Sequence, residues 1–202
     1  MKIVGRYHQM GVALLRIAVG IIFLWAGLDK LTQGFSAAGF LAHATGGTLG
    51  WPFVTGTPDP NAIFNPTHAF WVSLAANATA IGAINVLVVT GELCIGIALI
   101  LGVATRFAAV MGALMMLLFF FAAWEFSNGI VNQHLTYLVV CLTIAGLGAG
   151  RYYGLDAFVG KWVNPTVRKW FLSGDEVALP GGEVAPRGPK VALPNTEVPL
   201  TA

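Results

Sequence analysis

The chain of 202 residues is 56% hydrophobic and only 10% charged, with a mean hydropathy of +0.75. A soluble domain carries about 25% charged residues, a gap too wide for a buried core to explain, so lipid is the solvent for most of the chain. The net charge of +2 and the absence of a basic patch interleaved with aromatics exclude a nucleic-acid partner.

A hydrocarbon core of about 30 Å takes about 20 apolar residues of helix to cross. Spans are expected near 10–31, 77–101, 107–125 and 133–150, which makes the domain at 1–172 an all-α, integral-membrane, antiparallel four-helix bundle. Lys2, Arg6 and Arg16 precede or open span one, Arg106 separates spans two and three, and Arg151, Lys161, Arg168 and Lys169 follow span four. Alternating crossings put all these clusters on one side, so the positive-inside rule makes both termini cytoplasmic in a plasma membrane. The apolar N-terminal run is long, ends in Leu28-Asp29-Lys30 and lacks a clear cleavage site, so it is expected to be a retained span.

Along span one, Trp25 and Asp29 share a face near the outer end, and Asp29-Lys30 closes the helix at the water boundary. Residues 32–65 are rich in Gly, Pro and Thr but carry Phe35, Phe40, Trp51, Phe53 and Phe64. That is too apolar for a disordered linker. They are expected to fold as a cap on the outer mouth, with a short helix at Ser36–His43. Asn65-Pro66 reads as a helix start. From Pro66 to Leu101 one helix would be about 54 Å long. Either it projects, or Pro66–Asn77 lies on the interface and the span proper begins near Asn77.

Span two carries Asn85 and Glu92 on one face, continued by Gly96. A charged side chain at mid-bilayer costs about 2.5–3.5 kcal/mol. Glu92 must therefore be neutral, paired or turned to a polar interior. In span three, Met111, Met115, Met116 and Phe119–Phe121 read as packing or lipid contact. Trp124–Gly129 makes a polar turn, and His134 opens span four. Cys94 and Cys141 form no C-x-x-C pair and read as small buried apolar residues. Residues 155–172 mix aromatics with Lys161, Arg168 and Lys169, as an amphipathic helix on the anionic inner leaflet does. The tail at 173–202 repeats EVALP as KVALP and is expected to be disordered.

The ionisable groups in or bordering the spans, apart from the basic anchors, are Asp29, Lys30, Glu92, Glu125 and His134. Bundle topology collects four of them at the outer mouth, with Glu92 and Asn85 beneath. Glu92 and His134 are the candidate proton-handling residues, and Trp25, Asp29, Asn85, Glu125 and Arg106 the candidate cofactor-binding residues. Donors, apolar walls and a proton path are what a quinone head group needs; these residues supply those elements without demanding them, and structural polar packing is the first account of them. No metal set, haem motif or P-loop is present in the sequence.

Three stretches, LLRIAVGIIFLWAGLDKL (14–31), GELCIGIALILGVATR (91–106) and HLTYLVVCLTIAGLGAGRYYGLD (134–156), resemble the DoxX/DoxD family of small bacterial membrane proteins. Glu92 and Arg106 fall on the family pattern. The ending WEFSNGIVNQH through GRYYGLD is more like the DoxD branch, the large subunit of thiosulfate:quinone oxidoreductase. The resemblance implies electron transfer from thiosulfate, oxidised to tetrathionate outside the membrane, to membrane quinone. It also implies a small DoxA-type partner subunit. A non-catalytic scaffold for a redox or stress-response partner is the competing expectation, and a homo-oligomer is open in either case.

Overall fold

The computed structural model describes residues 2–43, 65–124, 131–160, 162–164 and 171–172, and contains no strand among them. Four long helices build the bundle: α1 (Lys2–Gln33), α4 (Ala78–Leu101), α5 (Thr105–Ala123) and α6 (Gln133–Leu147). Two short ones, α2 (Ala37–His43) and α3 (His68–Ala75), lie across one end. One further turn, α7 (Asp156–Val159), follows a 3-10 turn at Ala149–Arg151 at the other end. Three helices are long and apolar enough to cross a membrane, Tyr7–Gln33, Ala78–Leu101 and Thr105–Ala123, with Gln133–Leu147 a shorter apolar companion. The protein is an all-α membrane helical bundle.

The tightest seam joins α1 to α4. A Cβ at Gly96 would stand 2.5 Å from the backbone N of Leu24, and one at Gly27 would stand 3.0 Å from that of Leu93. Gly20 meets Ile100 in the same way. Facing residues on the two antiparallel helices therefore have numbers that sum to 120. Without a hydrophobic drive between helices in lipid, such backbone approach is what holds them. Gly96→Leu should force the seam apart and lower stability by about 1–3 kcal/mol, the usual cost of overpacking, read as a drop in the thermal unfolding midpoint in detergent.

All four long helices converge near Gly112, whose missing Cβ leaves room for Cys141 Sγ, Phe23 and Ile95. Cys141 is fully buried there, as expected. Cys94, expected buried as well, is exposed.

The sequence boundaries hold with informative exceptions. The helix expected from Pro66 starts at His68 and breaks at Ala76–Asn77, where Asn77 Oδ1 accepts from Ala80 N–H and opens α4. The segment is therefore two helices, with the span proper beginning at Asn77, and not one continuous rod. Asn65 makes the cap-type bond expected of it, to the N–H two residues on, although α3 itself starts at His68. Asn65 is fully buried, accepts from Thr67 N–H at 2.8 Å, and donates from Nδ2 to the Phe121 carbonyl at 2.8 Å, tying the cap to α5. The short helix expected at Ser36–His43 is α2, whose Leu41 is buried in a cluster with Ile81 of α4 and Ala122 of α5, against which Trp71 and Leu74 of α3 pack. The cap residues 44–64, the turn containing Glu125 and the tail 173–202 lie outside the described residues. Of the amphipathic helix expected over 155–172, the described residues form only the turn α7, with Phe158 and Trp162 exposed and Leu172 buried; Lys161 and residues 165–170 lie outside them.

Arg16 is the largest correction. Expected as a charged anchor where span one opens in water, it is fully buried, because α1 begins well before it at Lys2. It donates from Nη1 to the carbonyls of Ala149 (3.1 Å) and Tyr152 (3.3 Å), and from Nη2 to that of Tyr153 (3.3 Å). Asp156, 3% exposed, completes the clasp. Its Oδ2 accepts from Thr105 N–H at 3.1 Å, one of the N–H groups that a helix start leaves without an internal partner. Its own N–H donates to the Gly102 carbonyl at 2.7 Å, and Leu155 N–H donates to that of Leu101, so the end of α4 is satisfied too. Gly102 sits at φ +68°, and a Cβ there would strike the Arg16 guanidinium. Chain from before α5 and after α6 is thus locked onto α1 at one level.

Candidate functional site

On the α1–α4 seam, the residue facing Glu92 is number 28, and Lys30 stands half a turn beyond it. Helical side chains tilt toward the helix N-terminus, so the Lys30 stem runs back down α1 toward Glu92. The ammonium reaches Glu92 Oε1 at 2.8 Å and lies 3.5 Å from the Ala26 carbonyl. Phe35 covers it, with 5.6 Å between Nζ and the ring centroid. Glu92 is 3% exposed and Lys30 23%. Glu92 Oε2 is buried with no hydrogen-bond partner among the described residues. Counting helix rise, Glu92 stands about 15 Å from the clasp level at Gly102, half the thickness of a hydrocarbon core.

The pair answers the charge question of the sequence, but not by the expected route. Lys30 was read as part of an end-of-helix pair with Asp29. Instead Asp29 is exposed and accepts a hydrogen bond from Gln33 Nε2 on its own helix, while Lys30 descends to Glu92. Trp25 is 73% exposed on the outward side of α1. Neither Trp25 nor Asp29 joins the pair. The signal for Lys30 was available in the glycines: Gly20, Gly27 and Gly96 set the register that places residues 28–30 opposite Glu92.

Asn85, one heptad before Glu92, accepts at Oδ1 from the backbone N–H of Ala37 at 2.8 Å. It therefore holds the start of α2 over the same end of the seam, a turn beyond Phe35. Asn85→Ala should release that end at a cost of about 1 kcal/mol, seen as faster hydrogen exchange of the α2 amides with the rest of the bundle unchanged. His134 is half-buried at the start of α6, edge-on to Phe119 at 5.9 Å. Phe119 in turn meets Phe40 of α2 at 6.0 Å. Asn85 and His134 thus both contact the cap, one through α2's first amide and the other through an aromatic relay. Arg106 is half-buried in the first turn of α5, next to Thr105 of the clasp, at the end of the bundle away from Lys30. Glu125 lies outside the described residues.

A carboxylate and an ammonium held at mid-depth can donate, accept and pass a proton without bulk water. The unpartnered Oε2 leaves one strong acceptor unspent, and an ammonium has three donors. No curated protein and no solved structure matches the chain. The family model described as DoxX matches residues 11–124, from early in α1 to the end of α5, and so takes in the α1–α4 seam, the Lys30–Glu92 pair and Arg16. That match covers more than half of the 202 residues, and the chain belongs to the DoxX family.

Proposed function

We propose that this DoxX-family membrane protein is the membrane subunit of a quinone-linked oxidoreductase that passes electrons from thiosulfate, or a related reduced sulfur compound, to membrane quinone. The observation that carries the reading is the Lys30–Glu92 pair with its spare carboxylate oxygen. The residues fit a quinone head group. Lys30 Nζ is a donor for one carbonyl oxygen, and Glu92 is an acid–base group for the hydroxyl that replaces a carbonyl.

In the overall reaction two thiosulfates give up one electron each and join through a new S–S bond as tetrathionate, and the quinone takes up the two electrons and two protons. Lys30 orients the head group, Glu92 hands on a proton, and His134 at the cap exchanges protons with the outer phase. The phenyl ring of Phe35 lies over the ammonium. The resemblance to the DoxD branch supports thiosulfate as donor and a DoxA-type partner as the companion subunit. Arg16, Arg106 and Arg151 gather near one end of the bundle, which supports a cytoplasmic assignment for that end and for both termini in a bacterial plasma membrane.

Membranes carrying the protein with its partner should reduce quinone when given thiosulfate. Glu92→Gln should lower that rate by about 100-fold or more, the range for loss of a general acid–base group, and His134→Ala should lower it less. Wild-type rates in both folded variants would remove these residues from the mechanism.

A further inference from the structure

The seam between α4 and α5 is thin beside those of α1 with α4 and α5 with α6. An apolar groove of about 600 Å³ runs between them, from Ile84 to Ala98 on α4 and from Phe107 to Phe119 on α5. Ile84 to Ala98 spans about 21 Å of helix, so the mean cross-section is about 29 Å². The groove is long and slender, the shape of one extended hydrocarbon chain.

Its floor lies one row from the buried carboxylate. Val88 and Ile95 line the groove, are buried, and stand four before and three after Glu92 on the same stripe of α4. Gly91, the neighbour of Glu92, also lines it, and only Met115 Cε lies over that position, 2.7 Å from where a Cβ would be. A thioether side chain is unbranched and easily displaced. The depth of the polar pair selects the occupant. A phospholipid keeps its head group at the surface, about 15 Å from Glu92. A single-tailed molecule with its polar head among hydrocarbon chains matches both the apolar groove and the carboxylate beside it.

We infer that the α4–α5 groove seats the isoprenoid tail of the quinone and is its lateral way from the bilayer to Glu92, with Met115 as the movable wall at Gly91. The inference rests on the quinone reading of the Lys30–Glu92 pair.

The test is photolabelling of the full-length protein in detergent with a quinone analogue whose isoprenoid tail carries a diazirine, with labelled residues mapped by mass spectrometry. Labels should fall on α4 and α5 between Ile84 and Phe119. They should drop about tenfold in Thr90→Phe and Ala98→Phe, equivalent to a tenfold weaker affinity. Thr90 is an exposed groove residue, so its variant should fold even if Ala98→Phe does not. Labels confined to the outer faces of α1 or α6 would overturn the inference. So would groove labelling that a diazirine phosphatidylcholine matches and Thr90→Phe leaves unchanged. If the tail labels the groove while Glu92→Gln keeps the wild-type quinone rate, the groove stands and the head-group reading falls. If turnover depends on Glu92 while the tail labels elsewhere, the groove falls alone.

Discussion

Arg16→Met should destabilise the bundle by about 3–5 kcal/mol, the cost of removing one member of a buried charged network. The carbonyls of Ala149, Tyr152 and Tyr153 would each lose the guanidinium donor, Ala149 keeping only Tyr152 N–H, and Asp156 would stay buried with its cation gone. The methionine stem fills much of the same space, so the loss is electrostatic rather than a cavity. Arg16→Lys should recover little. A single ammonium is a compact point charge and cannot reproduce the fork that reaches Ala149, Tyr152 and Tyr153 together. Thermal or SDS unfolding of the purified protein measures the loss. A shift equivalent to less than about 1 kcal/mol in Arg16→Met would show that the clasp follows from the fold and does not hold it. Gly150→Ala gives a second route to the same conclusion, since a Cβ there would fall on Asp156 Oδ2 and Thr105 Oγ1 while leaving every charge in place.

The clasp also shows where sequence reading stops. Hydropathy placed α1, α4 and α5 because each is long and apolar enough to register in a window of about 20 residues, and α6, which is shorter, because the expected span drew on its flanking residues. The break at Asn77 and the cap helix α2 were legible from capping and composition. Charged residues were the weak point. A positive-inside reading treats every Lys or Arg near a span end as a group in water, and two of them are not. Arg16 is buried because α1 extends past the level of its neighbours, which no local pattern around Arg16 reveals. Lys30 turns inward because the glycine notches fix how α1 slides along α4, and that register depends on residues 60 to 80 positions away. Asn65 reads locally as a cap and makes that bond to Thr67 N–H, but its second partner, the Phe121 carbonyl, lies far away in the sequence and no local pattern points to it.

The Lys30–Glu92 pair separates structure from chemistry through a double substitution. Lys30→Met alone should cost about 3–5 kcal/mol, because it leaves a carboxylate that is 3% exposed without its cation. Glu92→Gln should cost less, about 1 kcal/mol, because Lys30 is partly exposed and its long stem can carry the ammonium back toward water. Combining Lys30→Met with Glu92→Leu removes both charges and the spare acceptor, and well-packed apolar replacements of buried pairs are often neutral or stabilising. The double variant should therefore unfold near the wild-type midpoint, at least about 2 kcal/mol above Lys30→Met. Thiosulfate-driven quinone reduction should be lost in all three, the stable double variant included. If the pair only packs the seam, activity will return with stability. If it handles the proton, the most stable variant will be as inactive as the least.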